Sequence, residues 1–182
     1  MTDAGAVRRV GLALPRSYEV QVRGRWKLRV GQIVYVAFSD DELSMGFGFP
    51  KAERDGLIAS APDTFFLPPT SDLRYQWACA HLPGLEDAEM RELVTDAWRM
   101  CTPKMLHDLP DMEPPAAAAW NAIDSGEWSD LAPMLHPYLH FTDGDTALRG
   151  RKNVLAHLRA HPTPKPPVSA EVRDGQVYRW TR

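Results

Sequence analysis

The chain has 182 residues, 44% apolar and 25% charged, with a formal net charge of −3. These proportions exclude a collagen-like repeat, a coiled-coil rod and a wholly disordered chain. The longest apolar run, Ile33 to Phe38, is too short to cross a bilayer, no charged-then-apolar leader opens the chain, and the acidic balance gives no overall attraction to polyanions.

Val7, Val10 and Leu14 recur at helical spacing, and Leu14-Pro15 ends that helix. Strands are predicted over Trp26 to Val30, Ile33 to Phe38 and Leu43 to Phe49, joined at Gly31-Gln32 and Asp40-Asp41. In the third strand Leu43, Met45, Phe47 and Phe49 alternate with Ser44, Gly46 and Gly48, which puts the large side chains on one sheet face. Ala52 to Ala61 reads as a helix stopped by Pro62, and Arg74 to Leu82 as a strand with Tyr75, Trp77 and Cys79 on one face. Met90, Leu93, Val94, Ala97, Trp98 and Cys101 form the apolar stripe of a helix from about Glu86 to Cys101.

Pro110, Pro114 and Pro115 then crowd one short stretch, and proline fixes φ and removes a donor, so this stretch is expected to run extended between two units. The expected division is a first unit over 1–109, a linker over 110–115 and a second unit over 116–182. Beyond the linker, helices are predicted over Pro115 to Asp124, Trp128 to Leu135 and Arg151 to Ala160. Short strands flank Asp143-Gly144, and Val168 to Val172 and Gln176 to Trp180 flank Asp174-Gly175, a strong hairpin signal. Both units therefore read as α+β.

Several runs in the first unit resemble the MmcQ/YjbR family, described as double-wing DNA-binding-like. They are Leu12-Ala13-Leu14-Pro15, the strand pair Trp26 to Val30 and Ile33 to Phe38, Glu53 to Ile58, Ala61-Pro62-Asp63, Tyr75-Gln76-Trp77 and Asp96-Ala97-Trp98. The resemblance implies an antiparallel sheet with helices and a DNA-binding role, and it carries over no catalytic residue. Residues 116–182 resemble the nuclear-transport-factor-2-like (SnoaL-like) superfamily. The matching runs include Ala119 to Ile123, Asp124 to Trp128, Leu135-His136-Pro137, Phe141 to Gly144, Leu148 to Arg151 and Val172 to Trp180. That likeness implies a smaller α+β cone of helices against a curved sheet, often a homodimer through the sheet. Because the chain stops after the first long hairpin, an incomplete cone with an open edge is expected.

Charge is segregated along the chain. From residue 8 to residue 29, Arg8, Arg9, Arg16, Arg23, Arg25, Lys27 and Arg29 stand against one acid, Glu19. On one continuous strand from Gln21 to Val30, the side chains of Arg23, Arg25, Lys27 and Arg29 project from one face at about 6.5–7 Å intervals, near the phosphate spacing of a nucleic-acid strand. Arg8 and Arg9 extend that expected DNA-binding set. Two other readings stand beside it: a solvated face neutralised by neighbouring acids, or a strand broken at Gly24 that scatters the four cations.

Other chemistry has weaker signals. His136/His140 and His157/His161 have metal-ligand spacing, but Pro137 lies inside the first pair, Pro162 follows the second, and neither forms an H-E-x-x-H motif, so no metal is expected. Cys79 and Cys101 read as small buried hydrophobes, too few for a disulfide scaffold, which fits a cytoplasmic protein. In the second unit, Asp124, His140, Asp143 and Asp145 are the alternative small-molecule set, as in an isomerase or cyclase, provided a closed apolar pocket gathers them. A non-enzymatic protein without a cofactor, partnered by DNA or by a second copy of itself and not by a membrane, is the leading expectation; a ligand-free interaction module is the plainest.

Overall fold

In the computed structural model, which describes residues 2–163 and 165–182, helix α1 (Ala4–Ala13) begins at Asp3. The Asp3 carboxylate accepts from the Ala6 amide at 2.7 Å and satisfies one of the donors that a helix start leaves free. Two units follow, Met1–Lys104 and Met105–Arg182.

In the first unit, strands β1 (Ser17–Val22), β2 (Arg25–Val30), β3 (Ile33–Phe38) and β4 (Ser44–Gly48) form an antiparallel meander. After helix α2 (Arg54–Ser60), strands β5 (Phe65–Phe66) and β6 (Trp77–His81) complete a sheet of order β1-β2-β3-β4-β6-β5, and helix α3 (Asp87–Arg99) follows. Helix α1 packs on β1 and β2, α3 packs on β3 and β4, and the two helices touch, so both cover one sheet face. That face carries Leu28, Val36, Met45, Phe47 and Ala78, all essentially inaccessible to water. The predicted alternation holds within β4, where Met45 and Phe47 enter the core, whereas Leu43 lies before the strand and is exposed.

The expected continuous strand from Gln21 to Val30 does not form. Arg23 and Gly24 have φ of 54° and 82° and make a two-residue turn that pairs Val22 with Arg25. Positive φ at both turn residues suits the right-handed twist of the flanking strands, and Gly24 takes it without steric cost. The chain therefore folds back here into a separate strand, β1.

Tyr35 lies fully buried in β3, and its hydroxyl bonds to the Gly11 carbonyl at 3.0 Å and to Ser17 Oγ at 3.1 Å. Burial pushes its hydroxyl up to about 12, and burial likewise pushes the Cys79 thiol up to about 11. Both groups are neutral in the fold and ionise more easily once unfolded. Their stabilisation is therefore complete below the unfolded values and is lost as pH rises through the folded ones. Stability is expected to fall by about 2–3 kcal/mol from Tyr35 alone between pH 10 and 12. Urea midpoints at pH 9 and pH 11.5 check this, and Tyr35→Phe is expected to show a smaller fall.

The second unit contains α4 (Pro114–Ser125), α5 (Trp128–Met134), β7 (Leu135–Asp143), β8 (Thr146–Arg149), α6 (Arg151–Ala160), β9 (Ser169–Arg173) and β10 (Gln176–Thr181). Residues 110–115 are not an extended connector. Leu109–Asp111 forms a 3-10 turn, and Pro114 and Pro115 open α4, where a missing amide proton costs nothing. The sheet order is β8-β7-β10-β9, with β7 and β10 parallel and the other pairs antiparallel. The β7–β10 ladder is interrupted between Leu135 and His140, and Pro137, which cannot donate, sits in that gap. Trp120, Leu131, Leu139, Phe141, Val154, Leu158 and Trp180 form the core. The hairpin at Asp174-Gly175 forms as its sequence predicts, with positive φ at both residues. Among the described residues, no helix is long and apolar enough to cross a membrane.

Candidate nucleic-acid interface

The basic residues part company in the fold. Arg23 sits exposed at the tip of the β1–β2 hairpin, while Arg25, Lys27 and Arg29 lie on β2. The β2–β3 register shifts between Leu28 and Arg29 because β3 carries one extra residue there, Tyr35, while the β1–β2 register is unbroken, so Arg25, Lys27 and Arg29 keep the alternation of β2. Arg29 is half-buried, and its Nε is sequestered from water without a hydrogen-bond partner.

Arg8 is fully engaged. Its Nε donates to Glu19 Oε1 at 2.5 Å, its Nη1 and Nη2 donate to the two Glu42 oxygens at 2.7 Å, and its guanidinium lies 4.6 Å from the Phe38 ring centroid. The Glu42 bond is the main reason the Arg8 pKa is raised, and Arg8 in turn holds the Glu42 carboxyl below its usual range. Arg8 thus ties α1 to β1 and to the β3–β4 turn, and it leaves the expected phosphate-contacting set. Arg25 also has a carboxylate, with Nε donating to Asp40 Oδ1 at 2.8 Å, but this pair is open to solvent, the side chains being 54% and 73% exposed. Arg9 is exposed on α1.

The sheet face opposite the helices holds a groove of about 950 Å³. One row of register partners crosses it: Lys27 on β2, Ala37 on β3, Gly46 on β4, Cys79 on β6 and Phe66 on β5. A cation stands at one end, small residues make the floor, and an aromatic ring stands at the other end. Trp77 lies over Gly46, where an added Cβ would come within 2.3 Å of the indole Nε1, so only glycine admits the ring there. Arg25 and Tyr75 also line the groove. The neutral Cys79 thiol in its floor is no nucleophile at physiological pH. Trp77 and Cys79 share this face on β6 as their spacing predicts, and Tyr75, in the bend before the strand and not on it, also lines the groove. Phe66 carried no comparable signal; the run of small residues on β4, Ser44, Gly46 and Gly48, was the trace of the groove in the sequence.

The four candidates of the second unit do not converge. Asp143 accepts from Arg182 Nη2 at 2.6 Å, and that contact holds its carboxyl below the usual range. His140 packs on the opposite sheet face, its ring 5.3 Å from that of Tyr178. Asp145 is exposed in the β7–β8 turn, and Asp124 is half-buried on α4. Strand alternation separates Asp143 from His140, so no common pocket desolvates them. His136 and His140 both border Tyr178, and among the described residues no group of three or more His, Cys, Asp or Glu is placed to hold a metal.

A six-stranded antiparallel sheet with two helices on one face and a basic-to-aromatic groove on the other defines the first unit as an α+β domain. Residues 12–100 match the model of the YjbR family. The fold is also similar to the crystal structure of Deinococcus radiodurans protein DR2400, a DUF419 protein. The TM-score is 0.51 at 16% identity, covering 63% of this chain and 91% of that one. No curated protein matches the chain.

Proposed function

We propose that the protein binds nucleic acid without catalysing a reaction, and that the β1–β2 hairpin carries the phosphate contacts. The observation that carries this reading is the succession of Arg23 at the exposed tip with Arg25 and Lys27 along β2 at the groove. Residues two apart on a strand are about 6.5–7 Å apart, a step a phosphate backbone can follow. The Arg25–Asp40 pair is open to solvent and screened by salt, so Arg25 exchanges Asp40 for a phosphate at little cost. Arg8 has two carboxylates to give up and is not recruited. Contacts of this kind supply affinity and register, not base readout.

The test is a titration of duplex DNA at two salt concentrations. Lys27→Ala and Arg25→Ala are each expected to reduce the salt slope by about one. Asp40→Asn, which removes the competing carboxylate, is expected to tighten binding. Absence of salt-dependent binding, or slopes unchanged in both alanine variants, overturns the proposal.

The groove favours a second reading, a small ligand with an anionic group at Lys27 and a flat apolar body over Ala37 and Gly46 beside Trp77. A pocket of this size, apolar over most of its lining with charged and polar side chains such as Lys27 and Asp72 at its edges, is the usual setting for such a ligand. For the second unit, the order of two helices, hairpin, helix and hairpin supports the NTF2-like reading of residues 116–182.

A further inference from the structure

The outer face of the second unit's sheet is aromatic and basic. Along β7, Leu135, Leu139 and Phe141 enter the core, whereas His136 and His140 border Tyr178 and Tyr138 is exposed, its ring 5.8 Å from that of His136. Tyr178 on β10 lies between the two histidines, its ring centroid 5.2 Å from His136 and 5.3 Å from His140. The Arg173 guanidinium covers the Tyr178 ring at 3.7 Å, and Arg179 stands 5.8 Å from it. Arg149 is the register partner of His140 on β8. Against these three arginines this face of the strands sets one carboxylate, Glu171, which pairs with Arg179 at 2.9 Å and with Arg173 at 3.8 Å. Tyr138 leaves 74% of its surface in water.

Each feature narrows the occupant. A large exposed tyrosine, its ring 5.8 Å from that of His136, offers a flat surface on which any nucleobase stacks. An excess of arginine on a chain of net charge −3 offers a local attraction for phosphate. A duplex hides its base faces, whereas a single strand presents base and phosphate alternately. A second copy of this face would set three arginines against three, which opposes self-association here. We infer that this face, Tyr138 with Arg149, Arg173 and Arg179 around Tyr178, is a binding platform for single-stranded nucleic acid, separate from the hairpin of the first unit.

The experiment uses the full chain and the fluorescence anisotropy of a labelled oligo-dT of about 12 nucleotides, within the span such platforms cover. Tyr138→Ala is expected to weaken binding fivefold or more, roughly the loss of one stacked base, and Tyr138→Phe to retain it. Tyr138 is exposed, so neither change threatens folding. Arg149→Gln is expected to lower the salt slope by about 0.7, the increment for a phosphate of a single strand. Lys27→Ala is expected to lower duplex affinity more than oligo-dT affinity, and Tyr138→Ala the reverse, which separates this platform from the proposal for the first unit. Lack of oligo-dT binding, full affinity in Tyr138→Ala, equal loss in Lys27→Ala, or a dimer that Tyr138→Ala dissociates would each overturn the inference.

Discussion

Trp98→Ala is expected to lower the unfolding free energy by about 3–5 kcal/mol, most of the stability of an ordinary domain. Trp98 is fully buried on α3. Its indole Nε1 donates to the Pro15 carbonyl at 2.9 Å and joins α3 to the segment where α1 ends. Truncation leaves a cavity the size of an indole and also a carbonyl without that donor, and the two costs have the same sign. Trp98→Phe separates them, since it keeps most of the apolar volume and loses the donor; a smaller cost of about 1–3 kcal/mol is expected. Urea unfolding of both variants, followed by circular dichroism, checks the pair. Equal stability of Trp98→Ala and the parent would contradict the packing described for the first unit.

Gly11→Ala is the second large effect, and two opposing terms decide its sign. In an exposed helix the change stabilises by about 1 kcal/mol, because alanine orders at lower entropic cost. Here an added Cβ would lie 2.4 Å from Leu28 Cδ1 and 2.9 Å from the Tyr35 hydroxyl oxygen. Both neighbours are fully buried and have nowhere to retreat, and the Tyr35 hydroxyl is held by the Gly11 carbonyl itself. Overpacking costs about 1–3 kcal/mol or more, so a net destabilisation of about 1–2 kcal/mol is expected. Thermal or urea unfolding reads it directly; a variant more stable than the parent would show that α1 does not sit this close to β2 and β3.

Much of the fold was legible because local periodicity carried it. The apolar stripe from Met90 to Trp98 is the buried face of α3, the alternation from Ser44 to Gly48 is β4, and Asp174-Gly175 turns where its residue types demand. The β1–β2 turn was harder to read, since Arg23-Gly24 is not among the commonest hairpin pairs and its flanks are polar as well as apolar. Neutralisation of the cations by acids, or their scattering by a break at Gly24, was legible; which acid each cation meets was not. Arg8 finds Glu42 at a sequence separation of 34, and that pairing depends on how α1 lies across the sheet. The groove is non-local in the same way, because its row needs the registers of five strands, including the pairing of β4 with β6 across the whole of α2 and β5. Residues that act within one element show themselves in a sequence, whereas those that meet across elements do so only once the register is known.

The parallel pairing of β7 with β10 bears on the order in which the molecule assembles. Strands β1 to β4 are joined by short turns, and each can close on its neighbour as soon as both exist. Leu135 and Val177, by contrast, are separated by about 40 residues, and loop entropy must be overcome before their contact contributes anything. The centre of the second sheet is therefore expected to close late in its unit, after α6 and the β9–β10 hairpin, so that amides at Phe141 and Trp180, neighbours across that seam, gain protection last in pulse-labelled hydrogen exchange.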